Sequence, residues 1–222
     1  MIKGKYLNQK VNNWRRYGIF DQMYKSTLEL YKKKNKSKIY HIDGKIITNR
    51  YCSQSNKLGR NTRYKSKKSI NLQTVTDDQG VPLGQIILKG SDSEMGMMID
   101  VLNKIGLEDY NHLMKSNKHL KYFTCDAGYD SVKNREYLKN KGSADLRWFN
   151  RRNTKNNNLI KNRELKGIKL NKYKKRHIIE NYFSWIDTLI PRLVRIYDKF
   201  TENYMNMINL AAIDLIINKM CV

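Results

Sequence analysis

The sequence predicts a mixed α/β layer built around an antiparallel hairpin. The runs "SINLQTVTD" (69–77) and "VPLGQIILKG" (81–90) have strand composition and meet across Asp77, Asp78 and Gly80, which is ordinary hairpin turn chemistry. Along the rest of the chain the apolar spacing alternates between the strand and helix periods, giving the order strand, hairpin, helix, strand, helix, strand, helices. One sheet covered by helices reads this way. With 222 residues, 40% of them hydrophobic, the chain can close one substantial core.

Each element has its own signal. Residues 8–34 show helical spacing at Val11, Trp14 and Tyr17 and, after a break near Gly18, at Phe20, Met23, Tyr24, Leu28 and Leu30, so two short helices are expected. "KIYHIDGKIITNRY" alternates as a strand and carries Asp43. Pro82 opens the second hairpin strand, where a missing N–H is least harmful. "SDSEMGMMIDVLNKIG" predicts a helix capped by Ser91 or Ser93, with Met95, Met98, Ile99 and Leu102 buried and Gly106 at its end. "YFTCDAGYDS" (122–131) is a strand stopped at Asp126. It is followed by a helix from about Ser131 to Asn140, closed by Gly142, and by the strand "ADLRWFN". The polar 151–172 stretch lacks apolar period and reads as a loop or arm. Beyond Tyr173 a helix buries Ile179, Phe183, Ile186 and Ile190 up to Pro191, and a last helix turns Met205, Ile208, Ala212 and Leu215 inward.

Charge points to a polyanionic partner. Lys and Arg number 44 against 20 Asp and Glu, a formal net charge of +24. The excess is clustered: Lys57, Arg60, Arg63, Lys65, Lys67 and Lys68 lie together without an acid, and between Arg151 and Arg176 only Glu164 opposes eleven basic residues. Tyr64, Asn156, Asn157, Asn158 and Tyr173 are interleaved with them, which suits phosphate contact with some stacking. Cys52, Cys125 and Cys221 are an odd, widely spaced set without a C-x-x-C, which speaks against a disulfide framework or a zinc knuckle. The start lacks an apolar signal core, and no run approaches the ~18 apolar residues of a membrane span. The sequence therefore predicts a soluble intracellular protein.

Three carboxylates stand out. Asp43 lies in the first strand beside Gly44, which leaves access to it; Asp126 ends a strand just ahead of Gly128; Glu180 lies on the late helix. Taken singly, each has an ordinary use, as a turn former, an Asx turn or an exposed helix face. Taken together they form an oxygen-only donor set, which suits Mg²⁺ or Mn²⁺. Tyr173, Arg176, Glu180 and Asp187 stand at −7, −4, 0 and +7 from Glu180. At ~3.6 residues per turn they would form one polar stripe of a single helix.

The blocks "HIDGKIITNRY", "YFTCDAGYDS" and "YKKRHIIENYFSWIDTLIPRLVRIYDK" resemble the three catalytic blocks of the DDE transposases of bacterial insertion sequences, in particular the IS-Four and IS-Five kinds. Tyr173, Arg176 and Glu180 match their Y-x-x-R-x-x-x-E signature. The resemblance covers roughly residues 10–200 and implies a ribonuclease-H-like mixed sheet flanked by helices. It implies Asp43, Asp126 and Glu180 as catalytic metal ligands for Mg²⁺ or Mn²⁺, two ions in all. It further implies a polynucleotidyl transferase that cuts DNA at an element's ends and joins the freed 3′-hydroxyl to target DNA. Tyr173 and Arg176 would contact the backbone near the cut; Lys57, Arg60, Arg63, Lys65, Lys67 and Lys68 would lie beside the donor end, with Arg151 and Arg152 as further DNA contacts. A homodimer is expected by analogy, because two ends must meet, and a bacterial host would place the protein in cytoplasm or nucleoid.

The chain departs from that family where Asp187 stands in place of the usual Lys at +7, so one phosphate contact is expected to be missing or moved to Arg192 or Arg195. The expected organisation is a short N-terminal helical segment, 1–36, matching the tail of a larger DNA-binding region. A catalytic domain follows at 37–222, with a basic insertion at 151–172. The alternative function is a truncated or catalytically silent DNA-binding remnant, which would bind without cutting; a nuclease on other nucleic acids is a third.

Overall fold

The computed structural model describes residues 4–49, 56–62, 65–105, 121–148, 150, 164–196 and 200–221. The chain opens with α1 (Gly4–Arg16) and α2 (Ile19–Lys34), separated at Gly18 as the spacing predicted. Strands β1 (Ile39–Asn49), β2 (Gly59–Asn61), β3 (Lys67–Asp77) and β4 (Pro82–Lys89) follow, then α3 (Glu94–Lys104) and β5 (Lys121–Cys125). The remainder is α4 (Val132–Asn140), β6 (Ser143–Leu146), α5 (Gly167–Lys174), α6 (His177–Leu189), β7 (Arg195–Ile196) and α7 (Thr201–Met220).

The sheet runs β4-β3-β1-β5-β6, with β2 continuing the line of β4 beside β3 and β7 pairing the far end of β1. β3 is antiparallel to both β1 and β4, whereas β5 and β6 run parallel to β1. This is the ribonuclease-H-like arrangement, a meander of three strands extended by two parallel ones. Its central strand β3 is buried from Ser69 to Asp77 on both faces.

Alternation along β1 sends successive side chains to opposite faces. On one face Ile47, Ile70 and Leu72 meet Ile179, Tyr182, Phe183 and Ile186 of α6. On the other, Tyr40, Ile42, Val75, Phe123 and Cys125 meet Met98, Val101 and Leu102 of α3, Leu138 of α4 and Tyr24, Leu28 and Tyr31 of α2. Helix α2 thus shares the core with the sheet. Helix α7 closes both clusters, giving Tyr204 and Ile208 to one and Ala212, Ile213 and Ile216 to the other. Each Ile, Leu, Val, Met or Phe among them stabilises the fold by about 1.5–3 kcal/mol relative to exposure.

Local chemistry fixes the joints. At the β3–β4 turn Asp77 Oδ1 accepts from Gln79 N at 2.9 Å and Val81 N at 3.0 Å, while Gly80 takes φ +81, a left-handed conformation that suits glycine. Tyr31 of α2 donates to Asp77 Oδ2 at 2.6 Å, and Tyr24 donates to Pro82 O at 2.8 Å, so α2 is pinned to that turn at two points. Ser131 caps α4 by accepting from Asn134 N at 3.1 Å, and Gly142 closes it.

Several sequence expectations need correction. The buried side of α3 is Met97, Met98, Val101 and Leu102, while Met95 is exposed and Ile99 only partly buried. Its N-cap is Ser93, without a side-chain bond, and Gly106 lies outside the described residues. In α7, Met205 and Leu215 are only partly buried, and Tyr204, Ala211 and Ile216 lie deeper. Residues 167–172, expected in a loop, belong to α5, a helix with no buried residue, so it has no apolar period to read. Among the described residues no helix is long and apolar enough to cross a membrane.

Candidate active site

β1 and β5 run side by side with Ile42 opposite Cys125. Asp43 is the next residue of β1, and Asp126 is the first residue beyond the end of β5. The parallel pairing therefore brings two carboxylates from distant parts of the chain close enough for the Asp126 charge to act on Asp43. Asp43 Oδ1 accepts from Gly44 N at 2.8 Å, and its Oδ2 accepts from Arg176 Nη1 at 3.0 Å. The same guanidinium donates from Nη2 to Glu180 Oε1 at 2.9 Å. Arg176 thus ties β1 to α6, and the Asp126 charge acts on both Asp43 and Arg176.

The expected single stripe on a continuous helix is not what forms. Tyr173 ends up on α5 and Glu180 on α6, with Arg176 at the N-cap between them, its N–H donating to Tyr173 O at 2.9 Å. The break still leaves Tyr173 close enough for the Arg176 charge to act on its phenol. Tyr173 also packs edge-on against Trp148, ring centroids 6.0 Å apart. Asp187 is taken up elsewhere: it pairs with Lys45, two residues beyond Asp43 on the same face of β1, and Lys45 also donates to Phe183 O at 3.4 Å. The side chains of Arg192 and Arg195 lie outside the described residues.

Burial pushes the Asp43 carboxyl up to about 6; the Gly44 N–H and the Arg176 guanidinium oppose the rise, and the Asp126 and Glu180 charges add to it. A group raised on folding stabilises the fold below its unfolded value of 3.8 and loses that contribution as pH climbs through about 6. In the presence of chelator at pH 7.5, Asp43→Asn, permanently neutral, is expected to unfold at higher denaturant than the parent. The gain should be ~1–2 kcal/mol, shrinking to nothing near pH ~4. Urea titrations at the two pH values measure it.

Asp126 is held by its own turn. Its Oδ1 accepts from Ala127 N at 2.5 Å while the carboxylate remains exposed, so the turn role and the presentation of charge are one arrangement. The turn is anchored from below by fully buried Tyr129, which donates to Gln73 Oε1 at 2.7 Å; Gln73 donates in turn to Asn71 Oδ1 at 3.0 Å. Tyr129 O accepts from Asn134 Nδ2 at 2.8 Å and from buried Arg147, and Asp130 pairs with Arg135. Gly44 owes its identity to this network: a Cβ there would sit 2.2 Å from Gln73 Nε2 and 2.8 Å from Asn71 Oδ1. It leaves room for the amides on the opposite face of the sheet. The sequence signal for these supports was polar residues inside a strand that is otherwise apolar.

Beside Asp43 the same face carries a buried polar row. His41 Nδ1 and Thr124 Oγ1 lie 2.6 Å apart, and Tyr182 donates to Gln85 Oε1 at 2.6 Å. Among the described residues, His41 Nε2, Thr74 Oγ1, Thr76 Oγ1 and Gln85 Nε2 have no hydrogen-bond partner. Burial lowers His41 to about 4, keeping it neutral. Cys125, whose thiol burial pushes up to about 12, is a packing residue.

The basic residues sit apart from this cluster. Lys57, Arg60, Lys65, Lys67 and Lys68 are exposed around β2 and the start of β3, where Ser69 pairs with Thr48 whereas Thr74 pairs with Asp43. That separation is roughly 17 Å along the sheet. Arg63, Arg151 and Arg152 lie outside the described residues. Oxygen-only carboxylates suit a hard cation, so the donor chemistry of Asp43, Asp126 and Glu180 fits one. Among the described residues, no three His, Cys, Asp or Glu side chains close around a cation position as they stand; the Arg176 guanidinium stands between Asp43 and Glu180.

The profile of a family described as "Transposase DDE domain" matches residues 14–213. No curated protein matches the sequence. Among solved structures, the catalytic domain of Mos1 mariner transposase is similar at 12% identity, covering 81% of this chain and 94% of that one, with a TM-score of 0.35. The Mos1 catalytic domain with Raltegravir and Mg is similar at 14% identity, over 90% and 92% of the two chains, with a TM-score of 0.34. A pre-cleavage Mos1 transpososome gives 14%, with 90% and 61% covered and a TM-score of 0.34.

Proposed function

Because this chain belongs to the DDE transposase domain family, we propose that it cuts and joins DNA strands for an insertion-sequence element of the IS-Four/IS-Five group, with Asp43, Asp126 and Glu180 as its catalytic carboxylates. The observation that carries this reading is Asp43 on β1 lying one residue past the pair Ile42–Cys125, with Asp126 just beyond the end of the neighbouring parallel strand and Glu180 joined to Asp43 through Arg176. The three would hold Mg²⁺ or Mn²⁺, as a pair of ions. When bound, such ions stabilise negative charge on the attacking and leaving oxygens of a phosphodiester.

The chain's own residues supply the rest. Arg176 presents a planar fork that matches a non-bridging phosphate edge. Tyr173 and Trp148 border it and keep one side of the cut strand against an apolar wall. Lys45, fixed by Asp187, adds a positive charge on the other side of Asp43. The exposed Lys57, Arg60, Lys65, Lys67 and Lys68 would follow the duplex away from the cut, and two copies would bring two element ends together. Residues 1–36 would form a short N-terminal helical segment ahead of a catalytic domain at 37–222.

Supercoiled plasmid incubated with the protein and Mn²⁺ should be nicked, and chelator should stop it. Salt-sensitive binding with no nicking in either metal would instead leave the DNA-binding remnant. For the basic strand end, Lys67→Ala with Lys68→Ala should weaken duplex binding at every sequence and flatten the log Kd against log salt slope by about 0.9 per lysine in contact with phosphate. Fluorescence anisotropy across a salt series measures this, and an unchanged slope would remove these residues from the interface.

A further inference from the structure

Arg176 does in this molecule what a bridging cation would do. Its two terminal nitrogens bind carboxylates from different elements, Asp43 on β1 and Glu180 on α6, at 3.0 and 2.9 Å. The side chains of Arg176 and Asp43 are each only 22% exposed, so this is not a solvated surface pair. The fork rises from the joint between α5 and α6, where the Arg176 N–H is fixed to Tyr173 O. Asp126 faces the same charge.

The oxygens engaged by Arg176 are oxygens a hard cation would need, and two positive centres in one small space repel. A phosphate offers the guanidinium an equally good bidentate partner. We propose that Arg176 is a placeholder cation: it holds Asp43 and Glu180 together without metal, and an incoming DNA phosphate draws it off and releases both carboxylates to a divalent ion. This rests on the reading of Asp43, Asp126 and Glu180 as metal ligands. Metal and DNA then favour each other's binding through one side chain, a coupling that is reciprocal.

The test is Mn²⁺ affinity of the full chain without DNA, read from the electron paramagnetic resonance signal of free Mn²⁺. Arg176→Gln should bind Mn²⁺ roughly 5-fold or more tightly than the parent. Arg176→Lys, whose compact ammonium cannot fork across both carboxylates, should fall between them, and it carries the comparison if the glutamine variant unfolds in circular dichroism melts. A short duplex should tighten Mn²⁺ binding to the parent by a larger factor than to Arg176→Gln. Equal or weaker Mn²⁺ binding by the variants, or no effect of duplex on the parent, overturns the placeholder role. Mn²⁺ binding that survives Asp43→Asn unchanged sinks the ligand assignment itself, so the two failures are told apart. Absence of Mn²⁺ binding in parent and variants alike would overturn both.

Discussion

Asp126→Asn is expected to lower DNA nicking by roughly 10²–10³-fold or more, the scale seen when one preorganised electrostatic group is lost from a reacting centre, while leaving the fold intact. The asparagine oxygen can still accept from Ala127 N, so the turn that follows β5 keeps its cap. The carboxylate is exposed, and a surface substitution that preserves its hydrogen bond typically changes stability by no more than about 0.5 kcal/mol. Only the charge disappears, and with it a hard anionic ligand beside Asp43. Nicking rates in Mg²⁺ and Mn²⁺ on matched protein, together with thermal melts, separate the two effects. Parental rates in the variant would place the chemistry elsewhere.

Gly44→Ala should be among the most damaging single-atom additions in the chain. The new Cβ would meet Gln73 Nε2 at 2.2 Å and Asn71 Oδ1 at 2.8 Å, and neither amide is free to leave. Gln73 is fully buried and accepts from Tyr129, so moving it orphans a phenol beneath the Asp126 turn. Overpacking and a broken buried bond together cost about 2–4 kcal/mol, or a melting temperature roughly 5–15 °C lower for a chain of this size. Nicking should fall further than stability alone requires, because the displaced Tyr129 supports the turn that carries Asp126. Calorimetry beside a nicking assay below the melting range tests both halves. An unchanged melting temperature would mean the amides have somewhere to go.

What could be read from the sequence was whatever repeats along the chain. β1, β3, β4, β5, α4 and α6 follow from alternation or helical spacing together with local punctuation such as Ser131, Gly142 and Pro191. The region of Glu180 was legible because Ile179, Phe183 and Ile186 mark the buried side of α6, which fixes the side left for polar groups. Helix α5 buries nothing, so it left no periodic trace, and the joint at Arg176 was hidden within it. The supports of the site were illegible for another reason. Gln73 with Tyr129, and Lys45 with Asp187, are pairs between segments far apart in the chain, and neither member announces the other. The one available hint was that Asn71, Gln73, Thr74 and Thr76 are interleaved with Ile70, Leu72 and Val75 in a single strand.

The Lys45–Asp187 pair restricts how this protein can exchange parts with its relatives. In the family it resembles, the helix position held here by Asp187 usually carries lysine. Grafting such a helix onto this sheet would set two ammonium groups against each other, with Lys45 already four-fifths shielded from solvent. Strand and helix therefore travel as a unit: recombinants that inherit residue 45 from one parent and residue 187 from the other would start with a charge conflict next to Asp43, whichever parent supplied which half.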